Sequence, residues 1–375
     1  MMNQITTLYH LIFVVKIKII MKVCILGDGL IALSIAKALI NQEIYVDIFS
    51  YNNKKKLNQT RTIGISDSNI EFYNKNICNI EKFLWNISEI DIYNEKLKNE
   101  KLLNFHTENK RLFSIIRNNQ LHNYLLSILK KEKFLEIKKK INYNKIAKDY
   151  GLIINCDLNN YLTKKYFYKK INKNYNSLAY TTIIKHQKIT NNVATQIFTK
   201  KGPIAFLPLS ENETSIVYSV KGKENINLRD LIEIYNPKYK ISGMKNFSFF
   251  ELKSSNLRSY HHKNILAFGD LLHRLHPLAG QGFNMSVRDL KKLIQIIKYK
   301  INLGLDLDYS ICLDFEKKMK HKNYIFSSGV DFIYEFFNFE NKIDNKIMSK
   351  SIKYFGKKKF TNKILTNIAN RGLIF

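Results

Sequence analysis

Lys22-Val23-Cys24-Ile25-Leu26 is an apolar run without helical spacing, and it predicts a buried β-strand. Gly27-Asp28-Gly29-Leu30-Ile31-Ala32 interrupts it. The pattern then turns helical through Ile40, with Ala32, Ala36 and Ala38 small enough for close packing. Ile44 to Phe49 predicts the next strand, so strand, glycine turn, helix and strand follow one another. Further on, Leu121, Leu125, Leu126 and Leu129 fall along one face of a helix over 119–129, and Tyr150 to Cys156 predicts a short strand.

From Leu178 to Val220 the pattern becomes β-rich. Strands are expected at Tyr180–Lys185, Ala194–Thr199, Ile204–Leu207 and Thr214–Val220, with Pro203 and Pro208 bracketing the third. This reads as an antiparallel sheet inserted as a second domain. Ile265 to Phe268 predicts one more buried strand, after which helices continue to the C-terminus. The expected fold class is α/β, with residues 21–160 and 256–375 forming a discontinuous Rossmann-like domain. Residues 161–255 form the inserted β-rich domain, and 1–20 are an N-terminal extension whose translation is open.

Composition narrows this picture only in part. The 375 residues suffice for one large domain or two interleaved ones, and 45% are apolar, which excludes a wholly disordered chain. The net charge is +30, from 61 Lys and Arg against 31 Asp and Glu. The basic runs at Lys54–Lys56, Lys138–Lys140 and Lys357–Lys359 are scattered and match no nucleic-acid module. Lys, Asn, Ile and Tyr are enriched throughout, which points to compositional drift, with an anionic membrane surface as the other use of the charge. Cys24, Cys78, Cys156 and Cys312 lie far apart, without metal or disulfide spacing, and fit a reducing compartment. Leu11 to Ile20 is too short to span a bilayer and is interrupted by Lys16 and Lys18. The chain is therefore expected to be soluble or peripheral, with Met21 a plausible start. His273 and His276 sit three apart, as on one helical face, but lack further ligands, so no metal is expected.

Gly27-x-Gly29-x-x-Ala32, between a strand and a helix, has the form of a dinucleotide-binding turn. Gly27 permits the turn, Gly29 lets backbone N–H groups approach a pyrophosphate, and Ala32 keeps the helix near the sheet. The second strand normally ends in a carboxylate for ribose hydroxyls. Ser50 holds that place here; it can hydrogen-bond but brings no charge. Asp47, earlier on the strand, reads as structural.

The most specific stretch is NILAFGDLLHRLHPLAGQGFNMSVRDL, residues 264–290. It resembles the FAD-binding segment of the class A flavoprotein monooxygenases, and especially of the ubiquinone-biosynthesis hydroxylases. The match rests on Gly269, Asp270, His273, His276, Pro277, Gly280, Gln281, Gly282, Asn284 and Asp289 in one register. Arg61-Thr62-Ile63-Gly64-Ile65-Ser66 and GPIAFLPL (202–209) are similar to further stretches of that family. The resemblance implies FAD held by Gly27, Gly29, Ala32, Ser50, Asp157, Gly269, Asp270, Gly280, Gly282 and Asn284. It implies Pro277, Gly280, Gln281 and Gly282 on the flavin and oxygen side. It further implies O2 and a polyprenylated phenol as substrates, with NAD(P)H or a reductase as electron donor. Other ubiquinone-biosynthesis proteins are implied as partners. The expected location is cytoplasmic or peripheral on the inner face of a membrane. The expected activity is hydroxylation of the substrate's aromatic ring.

Three departures leave other readings open. Ser50 replaces the strand-end carboxylate, Leu158 follows Asp157 where the family has glycine, and Asn119 stands where it has arginine, with Arg117 nearby as a substitute. A non-catalytic or FAD-poor homologue, acting as an accessory subunit of the ubiquinone-biosynthesis assembly, is the alternative. An FAD-dependent reductase or oxidase of another lipid is a third.

Overall fold

The apolar run at the start of the described chain becomes the middle of a six-stranded sheet. The structure is a computed structural model, and it describes residues 21–50, 58–95, 101–106, 111–222, 227–276 and 280–343. Strand β1 (Lys22–Leu26) lies between β2 (Tyr45–Phe49) and β9 (Leu152–Asn155), all parallel. β8 (Leu135–Lys138) extends the sheet beyond β2, and β17 (Ile265–Ala267) beyond β9, both in parallel. β16 (His261–His262) adds an antiparallel edge. Helix α1 (Leu30–Ile40) packs its alanine face on the sheet, and α3 (Asn118–Leu129) packs against α1. β1 and β9 are buried on both faces, which is why they read as continuous apolar runs without alternation.

Asp47 supports the expectation of a structural role. It is buried in β2 and accepts hydrogen bonds from Lys138 Nζ (2.7 Å) and from the Tyr150 hydroxyl, with Lys22 Nζ at 2.8 Å. Burial pushes its carboxyl up, but these donors outweigh burial and hold it below the usual range.

The second sheet has nine strands. Its order is β18 (His273–Arg274), β15 (Ser248–Leu257), β10 (Lys170–His186), β13 (Glu213–Lys221), β12 (Gly202–Pro208), β11 (Val193–Thr199), β5 (Glu89–Asn94) and β6 (Lys101–His106). β14 (Ile241–Met244) pairs with β10 off this path. The sheet thus runs past 161–255 on both sides, recruiting β5 and β6 from the first half of the chain and β18 from the His-Pro segment. β11 and β5 pair in parallel, which no hairpin spacing signals. β10 is far longer than the predicted Tyr180–Lys185, because a register shift between Asn174 and Leu178 lets it pair with β15 along both halves.

A three-stranded sheet, in the order β3 (Thr62–Ser66), β7 (Phe113–Arg117) and β4 (Trp85–Ile87), is interleaved in sequence with strands of both larger sheets. Helix α2 (Asp67–Asn76) follows β3. Helices α4 (Gln281–Asn302) and α5 (Tyr309–Ile343) close the described chain and pack on each other. Among the described residues, no helix is long and apolar enough to cross a membrane. Residues 1–20, the basic runs at 54–56 and 357–359, and Pro277 fall outside the described residues.

Candidate flavin site

A cavity of about 1360 Å³ runs from the Gly27–Ile31 turn, past Gly280–Phe283, to the inner face of the nine-stranded sheet. Small-molecule pockets usually hold roughly 300–1,000 Å³, so there is room for a large cofactor and a second molecule. One end is polar and built from turns: Asp28, Asn118, His122, Asp157 and Asp270 line it. The other end is apolar, with Ile90, Phe105, Ala194, Ala205, Leu207, Val217 and Leu252 on its walls.

The first turn forms because the Gly27 N–H donates to the Phe49 carbonyl (2.9 Å) and Gly29 caps α1. A Cβ on Gly29 would meet nothing within 4 Å, so its backbone lies open to the cavity. Gly282 is open in the same way, in the first turn of α4. Gly280 caps α4 in the left-handed conformation (φ +63°), and a Cβ there would face the Gly64 backbone at 3.4 Å. Two helix N-termini, with their unpaired N–H groups, therefore border one cavity, an arrangement suited to anionic ligand groups. These bare backbones and helix ends fit FAD: α1 would hold the pyrophosphate, and α4 would border the ring.

The predicted residues divide into two groups. Gly27, Gly29, Asp157, Asp270, Gly280, Gln281 and Gly282 line the cavity. Asp157 sits against Gly27, and its carboxylate accepts from the Asn159 N–H (2.8 Å). Ala32 is buried behind the turn, against the sheet. Gly269 is behind the lining too; it is left-handed (φ +65°), and a Cβ would lie 2.7 Å from Ile31 Cγ2.

Asn284, expected to touch the cofactor, spends its amide on the scaffold. Its Oδ1 accepts from the Ser66 N–H and from Asn69 (both 2.9 Å), and its Nδ2 donates to the Gly64 carbonyl (2.9 Å). Fully buried, it fastens α4 to β3 and α2. Ser50 is also away from the lining: its hydroxyl donates to the Asp28 carboxylate. Arg117, the expected stand-in for the missing arginine, is committed to an ion pair with Glu213. His273 lies in strand β18, not on a helix, and its Nε2 is 2.5 Å from Asp289 Oδ2, whose Oδ1 accepts from Asn323 (2.9 Å). His276 is buried between the rings of Tyr175 and Tyr334, and burial, with help from Lys173, pushes its pKa down to about 3.

The sequence reading missed Asp28, His122 and Phe113. Asp28 stood in plain view inside the glycine string, but as a variable position. His122 faces the cavity from α3, and its Nε2 contacts the Asp28 carbonyl at 2.9 Å. Phe113 folds over Gly64: a Cβ on Gly64 would lie 2.0 Å from its ring. The glycine at 64, inside the Arg61–Ser66 stretch, was the available signal.

Comparison with known proteins agrees with this geometry. Residues 221–302 match a family described as FAD binding domain. The ubiquinone biosynthesis monooxygenase COQ6, mitochondrial, of Danio rerio is 26% identical over 203 residues, 42% of each chain. The 3-demethoxyubiquinol 3-hydroxylase of Escherichia coli is 29% identical over 154 residues, 38% of this chain and 39% of that one. The matched stretches thus span less than half the length of these two relatives. In fold, p-nitrophenol 4-monooxygenase PnpA from Pseudomonas putida superposes with a TM-score of 0.76 at 12% identity, covering 95% of this chain and 99% of the other. The chain thus carries an FAD-binding segment, shares its fold with an FAD-dependent class of monooxygenase structures, and is similar over part of its length to ubiquinone-biosynthesis hydroxylases.

Proposed function

We propose that the protein is an FAD-dependent monooxygenase that hydroxylates the aromatic ring of a polyprenylated ubiquinone precursor. The observation that carries this is the continuity of the cavity: the turns that fit FAD open directly onto an apolar chamber walled by the large sheet. A phenol ring would lie near Gly280–Gly282, with its polyprenyl tail along Ile90, Phe105, Leu207 and Val217. The chemistry supplied by bound FAD is reductive activation of O2: one oxygen enters a ring C–H bond and the other leaves as water, with the electron pair coming from NAD(P)H or a reductase.

The chain's own part is placement and shielding. The α4 N-terminus borders the cavity and would favour negative charge on a ring bound beside it. The apolar walls keep water from the reacting centre. Asp270, at the turn after β17, offers acceptors to cofactor hydroxyls. Both relatives are named as hydroxylase or monooxygenase, which favours this reading over the accessory one.

A lipid substrate gives the basic surface a use. Lys291, Lys292, Lys318 and Lys322 crowd one side of α4 and α5; burial and then these neighbours depress the Lys292 ammonium. Phe332 is exposed farther along α5. We place the protein peripherally on an anionic membrane face, within reach of other ubiquinone-biosynthesis proteins.

The test is direct. The purified protein should show a flavin absorption band near one FAD per chain, and a deletion strain should accumulate a precursor lacking one ring hydroxyl. A colourless protein that added FAD cannot reconstitute overturns the reading.

A further inference from the structure

In dinucleotide-binding turns of this kind, the ribose is held by a carboxylate at the end of the second strand. Ser50 occupies that end here and does not line the cavity. A carboxylate is nevertheless present at the spot, and it comes from the turn. Asp28 lies between Gly27 and Gly29, and the Gly27 N–H bond to Phe49 stitches the turn to the last residue of β2. The Asp28 side chain then reaches the strand end, where the buried Ser50 hydroxyl donates to its Oδ2. Asp28 lines the cavity, and a carboxylate with one bond from Ser50 keeps further lone pairs to accept with.

The position also decides which part of a dinucleotide the carboxylate serves. An anion over the α1 N-terminus would compete with a pyrophosphate for the same N–H groups. The Ser50 hydroxyl draws the Asp28 carboxylate sideways, to β2, and leaves those N–H groups to the phosphates. A carboxylate only accepts hydrogen bonds, so its ligand must donate, as sugar hydroxyls do.

His122 fixes the turn from the other side. Its Nε2 meets the Asp28 carbonyl, which only accepts, so Nε2 carries the proton and donates. Its Nδ1 is buried with no hydrogen-bond partner among the described residues, and His122 lines the same cavity.

We propose that Asp28 supplies the ribose-binding carboxylate that the end of β2 lacks, with Ser50 and His122 as its positioning residues. This rests on the FAD reading. Ser50 is then a relay and not a weakened contact, and the site is complete in a rearranged form.

The experiment is equilibrium binding of two flavins to the full-length apoprotein. One is FAD; the other is an FAD analogue whose adenosine half is 2′,3′-dideoxy and so lacks the ribose hydroxyls. The wild-type protein should prefer FAD by about tenfold or more, as expected for hydrogen bonds to a charged group. Asp28→Asn should reduce that preference to within about twofold, mainly by weakening FAD. Ser50→Glu placed on Asp28→Ala should bring the preference back. A wild-type protein that binds both flavins equally overturns the proposal without any variant, as does an Asp28→Asn variant that keeps the full preference. A wild-type protein that binds neither flavin overturns the FAD reading itself.

Discussion

At the scale of single residues, the 264–290 segment mixes two kinds of position that look alike in sequence. Asp270, Gly280, Gln281 and Gly282 face the cavity, whereas His273, Asn284 and Asp289 hold the segment in shape. Sequence marked the segment but not the division, because which face of a turn a side chain takes depends on packing partners far along the chain. Asn284 bonds with residues 64–69, more than two hundred positions away. The two kinds separate on mutation. Asn284→Ala leaves several buried partners unmatched and should cost about 2–4 kcal/mol, since each orphaned group costs about 1–3 kcal/mol and some relax. That loss should appear in urea unfolding of the apoprotein. Asp270→Ala, at an exposed lining position, should leave apoprotein unfolding within about 0.5 kcal/mol of wild type and lower the FAD content instead. Equal unfolding curves for Asn284→Ala and wild type would refute the clamp.

At the scale of elements, periodicity located the first strand, turn, helix and strand almost to the residue, because β1, α1 and β2 are consecutive and buried. It did not foresee β3, β7 and β4, or the parallel union of β11 with β5, since these pairings join segments with loops of no fixed length between them. The β3–β7 pair sets a tight condition on the site. The Phe113 ring lies on Gly64, and the Gly64 backbone in turn lies under Gly280. Gly64→Ala should therefore push the ring into the cavity at an overpacking cost of about 1–3 kcal/mol. Gly64→Ala with Phe113→Leu should recover much of that stability, as thermal denaturation of both variants will tell. Asp47 plays the matching part in the parallel sheet. Its depressed carboxyl contributes stability above an unfolded pKa of about 3.9, which is lost as pH falls through the folded value. Asp47→Asn should remove that acid-labile contribution.

At the scale of the whole molecule, the question is what fastens the nine-stranded sheet to the helices that carry the FAD segment. The sequence offered an inserted domain, and in the fold a buried cluster joins that part to the rest. Tyr175 and Ala179 from β10, Leu252 from β15, Leu275 and Met285 around the His-Pro segment, and Phe326, Val330 and Tyr334 from α5 form one cluster. Polar bonds run through it: the Tyr175 hydroxyl donates to Asp331, and the Ser177 and Tyr334 hydroxyls lie 3.2 Å apart. His276 stands in this junction, neutral, with ring centroids 4.9 Å from Tyr175 and 4.2 Å from Tyr334. Its folded pKa of about 3 lies below the unfolded value of about 6.5, so the unfolded chain binds a proton that the folded one refuses. Stability from this group is therefore intact above about pH 6.5 and falls as the pH drops toward 3, by at most about 1.4 kcal/mol per pH unit. Because the ring bridges sheet and helix, protonation should loosen the cavity wall at Leu252 and Leu275 before the parallel sheet gives way. His276→Phe keeps an aromatic ring there and removes the proton site. Its unfolding free energy should vary less between pH 6 and pH 4 than that of the wild type, by about 1–2 kcal/mol over the interval. An unchanged pH slope would mean that His276 does not hold the two halves together in this way.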